Sequence, residues 1–283
     1  MCGKNFLEAV DSKWMAPNYT AVVAEIGINH GGSLKNAIEL IKSASRAGCD
    51  AVKFQTYITE KRLPKNADQG LVGLLKSCEL SSQSLERIKA CADDLGLTFF
   101  STPFDDESVE VLESLNVKMY KLSSYDVTNK ALQRKVSSTG KPTCLSVGMA
   151  NIDEIKAANE NFLHDKLCLM HCVSAYPTNE SDVNLKRITK LKKEFSDRVI
   201  GYSDHTSGIN STEWAAILGA KIVEKHFKID EDMDCVDKHV SISESAMTTL
   251  VKRLRSAALA IGEGDFVLDP GELEVLQYRR HSD

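Results

Sequence analysis

Several things are missing from this 283-residue chain, and each absence narrows its class. No stretch is long and apolar enough to cross a bilayer, and the opening "MCGKNFLEAVDSKWMAPN" lacks the apolar core of a secretory signal. There is no long basic block, and the net charge is -5, which argues against nucleic acid or an anionic membrane as the main partner. None of the eight cysteines (Cys2, Cys49, Cys78, Cys91, Cys144, Cys168, Cys172 and Cys235) is spaced CxxC, and most sit inside apolar runs. That pattern fits reduced, buried thiols rather than a disulfide framework or a zinc knuckle, and a cytoplasmic protein is expected. No linker and no second domain can be read. With 42% hydrophobic and 27% charged residues, a packed core is within reach.

What is present is a regular alternation. Eight short runs rich in β-formers recur: "TAVVAEIG" (20–27), "DAVKFQT" (50–56), "LTFFSTP" (97–103), "VKMYKLSS" (117–124), "PTCLSVG" (142–148), "KLCLMHCVS" (166–174), "RVIGYSD" (198–204) and "AKIVEKHF" (220–227). Several are almost continuously apolar where they begin, as strands buried on both faces of a parallel sheet would be. Helical patterns fill the gaps. "SLKNAIELIKSASRAG" (33–48) opens on Ser33 and closes on Gly48, and "SSQSLERIKACADDLG" (81–96) closes on Gly96. Eight strand–helix units predict an α/β fold, a (β/α)8 TIM barrel forming a single domain over 20–283, after an N-terminal extension at 1–19. An open doubly wound sheet is the alternative. The long connection at 57–80 is expected to form a flap over the active site.

The polar residues gather where the apolar runs end. Glu25, Lys53, Gln55, Thr102, Lys121, Ser124, Ser146, Ser174, Tyr176, Ser203, His205, Glu224 and His226 all fall there. One such residue is ordinarily a cap or loop contact. Eight ends carrying them form one rim in a barrel, and that rim is where barrel active sites sit.

Lys53 and Lys121 lie in or at the end of apolar strands, where a buried ammonium is costly without an anion. Three readings stand: an internal ion pair with Glu25, a clamp on a phosphate or carboxylate aided by the ring of hydroxyls, or a Schiff-base lysine. His205 and His226 fall on neighbouring strands seven and eight. Strands about 4.8 Å apart allow two imidazoles to share a cation at bonds of about 2.1 Å. Glu224 shares a strand face with His226. A packed histidine and a general base are the alternatives to a metal site.

These segments, with "AEIGINHGGSLKNAIELIKSASRAGCDAVKFQTY", "STPFD", "KLSS", "LSVGMA", "HCVSAYPT", "GYSDHTSG" and "GAKIVEKHF", resemble the sialic acid synthase (N-acetylneuraminate synthase) family, which includes legionaminic and pseudaminic acid synthases and spore-coat polysaccharide relatives. The resemblance spans about residues 20–280 in the family's motif order. It implies a (β/α)8 barrel that condenses phosphoenolpyruvate with an N-acetylated amino sugar aldehyde, giving a nine-carbon 2-keto acid and phosphate. It implies a divalent metal (manganese first, magnesium or cobalt otherwise) on His205 and His226 with Glu224 close by. Phosphoenolpyruvate falls to Lys53, Thr102, Lys121, Ser124, Ser146 and Ser203, and Glu25 is the catalytic acidic residue. Gln55, Asp126, Ser174, Tyr176 and Asp237 match positions near the sugar or metal. A homodimer is the expected assembly.

Three departures stand out. Ser174 stands where N-acetylneuraminate synthases often have Asn, although the Ser form also occurs in other branches of the family. "CVDKH" occupies the loop where the family often has Gly-Pro before the residue matched to Asp237. The chain also stops at "YRRHSD", where many members continue into an antifreeze-like domain. Either that domain is a separate chain or this protein manages without it. A catalytically weak sugar- and phosphate-binding subunit is therefore the alternative expectation.

Overall fold

In the computed structural model, which describes residues 4–280, the eight apolar runs are eight strands. They are β1 (Ala21–Gly27), β2 (Ala51–Thr56), β3 (Thr98–Pro103), β4 (Tyr120–Leu122), β5 (Thr143–Ser146), β6 (Leu167–His171), β7 (Val199–Asp204) and β8 (Ile222–His226). All neighbouring pairs are parallel, and β8 returns to β1, so the sheet closes into a barrel in chain order. Closure explains the composition. Both faces of every strand are covered, and Gln55 is the one strand residue not fully buried. β4 is shorter than the run that predicts it, because Ser124–Asp126 turn into a 3-10 helix instead of extending the strand.

Eleven α-helices and five short 3-10 helices complete the described chain; the α-helices are α1 (Lys4–Val10), α2 (Leu34–Arg46), α3 (Thr59–Arg62), α4 (Gln69–Cys78), α5 (Ser82–Asp94), α6 (Asp106–Ser114), α7 (Lys130–Ser137), α8 (Ile152–Asn159), α9 (Lys186–Glu194), α10 (Asn210–Ile217) and α11 (Glu244–Ile261). Local chemistry sets their ends. The Ser33 hydroxyl accepts from the Asn36 N–H at 3.2 Å at the start of α2, and Gly48 beyond its end takes φ +82°. The outward strand residues and the inward helix faces make the main apolar core, including Ile26, Leu40, Phe54, Leu112 and Leu250.

A second apolar cluster fills the barrel's lower end. Phe6, Leu7, Val10 and Trp14, from α1 and the turn after it, pack on inward residues such as Val23, Ala51, Phe100, Met119 and Ile222. Beside them Asp50 accepts from Val22 N–H and from Arg255, each at 2.7 Å, tying β1, β2 and α11 together.

The 57–80 connection lies at the rim as a folded segment rather than a loop. It holds α3 and α4, and Tyr57, Leu75 and Cys78 form a small apolar cluster with Ile28 at the rim. The Tyr57 hydroxyl donates to the Leu75 carbonyl at 2.9 Å. All seven described cysteines are free, and Cys2 lies outside the described residues. Among the described residues no helix is long and apolar enough to cross a membrane.

Candidate active site

Register and the two-residue period of strands assemble the site. Glu25 on β1 pairs with Lys53 on one side and with His226 on the other. Ser203 on β7 pairs with Glu224 on β8. Lys53 and Gln55 point inward from β2, as Glu224 and His226 do from β8. Together they line a cavity of about 250 Å³. Of the residues expected at the site, Glu25, Lys53, Gln55, Thr102, Lys121, Ser124, Ser146, Ser174, Tyr176, Ser203, His205, Glu224, His226 and Asp237 all line it.

Asp126 does not. Its carboxylate accepts from the Ser123 hydroxyl at 2.7 Å and from the Asn129 amide at 3.1 Å, so it braces the turn after β4 instead of facing the cavity. Conversely, Ile28, Arg62, Phe104, Tyr125 and Cys172 line the cavity without having been expected there.

The floor is a buried charge cluster. Lys53 Nζ stands 2.9 Å from Glu25 Oε1 and 3.6 Å from Glu224 Oε1, and it donates to the Thr102 hydroxyl at 3.3 Å. Lys121 Nζ is also 3.6 Å from Glu224 Oε1 and donates to the Ser146 hydroxyl at 2.7 Å. The Ser203 hydroxyl donates to Glu224 Oε1 at 2.9 Å. Burial opposes every charge here, and the pairing decides which groups keep theirs. Lys121, Lys53 and the Ser203 bond overcome burial at Glu224 and hold it well below the usual carboxylate range. The two glutamates overcome burial at Lys53 and raise it. At Glu25 burial wins over Lys53, and its carboxyl is pushed up. Glu25 is therefore the carboxyl suited to carry a proton. The ion pair expected for Lys53 is present, with Glu224 as an additional partner. Glu224 thus pairs with the lysines through Oε1, while its Oε2 is buried without a hydrogen-bond partner and His226 also acts on the carboxylate.

The hydroxyl wall has a close approach built into it. Gly148 N–H donates to the Ser124 hydroxyl at 3.1 Å, and a Cβ at this position would lie 2.7 Å from Cys172 Sγ and 2.7 Å from Ser174 Oγ. Only glycine lets the backbone come this near the cavity.

Above the floor, His205 and His226 have ring centroids 5.5 Å apart. His205 Nδ1 lies 2.7 Å from the Val173 carbonyl oxygen and donates to it, which leaves the Nε2 lone pair free for a metal. Burial, with His226 beside it, lowers His205 to about 4, so its imidazole is neutral, as a ligand must be. His226 Nδ1 is 3.3 Å from Asp237 Oδ2 but out of line for a hydrogen bond, and it is left without a hydrogen-bond partner. Asp237 overcomes burial at His226 and raises its pKa, so a cation shared by His226 and Asp237 would take the place of a proton there. No three His, Cys, Asp or Glu side chains already converge on a point among the described residues. The donor set is thus two histidines with Asp237 beside them, which fits a divalent ion completed by water or substrate oxygens. Tyr176 covers this side, its ring 4.2 Å from that of His205.

The "CVDKH" loop is anchored from β1's end. Asn29 Oδ1 accepts from Asp237 N–H at 2.8 Å, and its amide donates to the Phe227 carbonyl at 2.9 Å. This places Asp237 against His226 despite the unusual loop sequence.

Residues 40–266 match the NeuB family model. The chain belongs to the NeuB family. It is 39% identical over 267 residues to an uncharacterised protein of Methanocaldococcus jannaschii, covering 93% of this chain and 78% of that one. It is 35% identical over 280 residues to the N,N'-diacetyllegionaminic acid synthase of Legionella pneumophila, covering 92% and 78%. Among NeuB structures, the N-acetylneuraminic acid (sialic acid) synthetase of Leptospira borgpetersenii, solved with citrate, superimposes with a TM-score of 0.87 at 34% identity, covering 93% of this chain and 92% of that one.

Proposed function

We propose that this NeuB-family chain is a carbon–carbon bond-forming transferase that condenses phosphoenolpyruvate with the open-chain aldehyde of an N-acetylated amino sugar of the N-acetylmannosamine type. The product is a nine-carbon 2-keto sugar acid, and phosphate is released. The observation that carries this reading is the convergence of buried Lys53 and Lys121 on one glutamate beneath two histidines. The lysines, with Thr102, Ser124, Ser146 and Ser203, hold the phosphate and carboxylate of phosphoenolpyruvate in register, an effect of orientation as well as charge. C3 of phosphoenolpyruvate then attacks the aldehyde carbon. Water adds at C2, Glu25 takes the proton from that water oxygen, and the former aldehyde oxygen takes up a proton to become the new hydroxyl. Loss of phosphate from the tetrahedral centre leaves the 2-keto acid. A divalent cation on His205 and His226, manganese first with magnesium or cobalt as alternatives, supplies polarisation of the aldehyde carbonyl. Lys53, held charged by its glutamates, is a poor Schiff-base nucleophile. The free thiols suit a reducing compartment, and we place the reaction in the cytoplasm.

The test is phosphate release from phosphoenolpyruvate by the purified protein across a panel of amino sugars and metals. Release that needs both a sugar and a divalent ion supports the reading. No turnover with any N-acetylmannosamine-like aldehyde, or borohydride trapping of pyruvate on Lys53 or Lys121, overturns it.

A further inference from the structure

Three cations line the cavity, and one of them differs from the others. Lys53 and Lys121 both face Glu224, and Lys53 faces Glu25 as well. Arg62, at the end of α3, makes no ion pair among the described residues. Its one side-chain hydrogen bond runs from Nη1 to Gln55 Oε1 at 2.9 Å. The guanidinium lies 3.9 Å from the ring centroid of Phe104 and 4.6 Å from that of Tyr57, so two aromatic rings fix its position. A guanidinium has five N–H donors, and one is used here.

Asp126 and Asp237 act on the guanidinium from a distance, but stacking on aromatic rings does not explain why a half-buried cation is left without a contacting acidic partner at a substrate cavity. Its position along the barrel says which substrate it meets. Gln55 lies two residues beyond Lys53 on the same face of β2, roughly 6.6 Å nearer the rim. Arg62 therefore reaches the cavity above the lysine floor, on the side left for the second substrate.

We infer that Arg62 is a specificity-determining residue for the amino sugar. Its unused N–H donors bind an oxygen on a sugar substituent, either an acetamido carbonyl or a phosphate ester. This rests on the condensation proposed above.

The experiment compares Arg62→Gln and Arg62→Lys with the unaltered protein, using N-acetylmannosamine and its 6-phosphate, and varies phosphoenolpyruvate separately. Losing a charged hydrogen bond should raise the sugar KM about tenfold or more in Arg62→Gln. The KM for phosphoenolpyruvate should stay within about twofold, and kcat should fall by less than the sugar KM rises. Arg62→Lys keeps the charge but loses the planar fork, and should fall between. A rise with both sugars assigns the acetamido oxygen, and a rise with the 6-phosphate alone assigns the phosphate. The inference is overturned if the unaltered protein turns over a sugar normally and neither sugar KM moves, or if both substrates' KM values rise together. Where neither sugar is turned over, the comparison is made with whichever sugar of the panel is, and no turnover of any N-acetylmannosamine-like aldehyde overturns the condensation reading and this inference with it.

Discussion

Asp204 and Lys225 face each other across β7 and β8 at 3.3 Å, both side chains fully buried on the side of the strands away from the cavity. Each is the chain neighbour of a cavity histidine. Asp204 also accepts from Thr206 N–H at 2.8 Å and from the Thr212 hydroxyl at 2.5 Å, and Lys225 donates to the Thr206 carbonyl. The pair thus fixes the backbone on which both imidazoles are carried. Lys225→Met or Asp204→Asn leaves one charge or polar group buried without its partner and should cost about 3–5 kcal/mol, read by urea unfolding. The double variant should lose clearly less than the sum of the two. Strict additivity would show that the pair does not act as a unit.

His205→Ala and His226→Ala should each abolish metal-dependent turnover with the fold largely kept. Manganese should raise the thermal midpoint of the unaltered protein and leave that of either variant unmoved, because a ligand stabilises only the state that binds it. An undiminished manganese shift in either variant would refute the two-histidine site.

Gly148→Ala tests the hydroxyl wall. The added methyl meets Cys172 and Ser174 at 2.7 Å and Ser124 at 2.9 Å, so those side chains must move. A stability loss of about 1–3 kcal/mol is expected from overpacking. A raised KM for phosphoenolpyruvate should accompany it, because Ser124 is displaced. An unchanged KM would place Ser124 outside the substrate's reach.

His30 sets an acid limit on stability. Burial lowers its pKa to about 4 from the ordinary 6.5, and its Nδ1 accepts from Gly32 N–H at 3.0 Å. The folded pKa lies below the unfolded one, so the neutral ring's contribution is complete above pH 6.5 and is lost as pH falls towards 4. Between pH 7 and pH 5 the loss should be about 2 kcal/mol. His30→Gln should flatten that part of the urea-unfolding profile, and an unchanged slope would remove His30 as its source.

The barrel was legible because a closed parallel sheet buries both faces of each strand, and eight apolar runs separated by helical patterns have few other solutions. The cavity residues on strands were legible for a related reason: a lysine or histidine in such a run has nowhere else to point. Residues on connections were harder to read. Arg62 and Phe104 follow strands, and nothing in their immediate sequence distinguishes a cavity residue from an ordinary loop contact. The helices α3 and α4 that bring Arg62 to the cavity were hidden in a stretch that reads as a long loop. Asp126 shows the opposite difficulty, since an acidic residue near a rim serves a turn as readily as a ligand, and here Ser123 and Asn129 claim it.

Among the described residues, Phe6, Leu7, Val10 and Trp14 pack into the barrel's base and stopper it, at the opposite end from the cavity. In the proposed condensation, both reagents and both products would then use the rim. The stoppered end is correspondingly the place to alter the protein's durability without touching its chemistry.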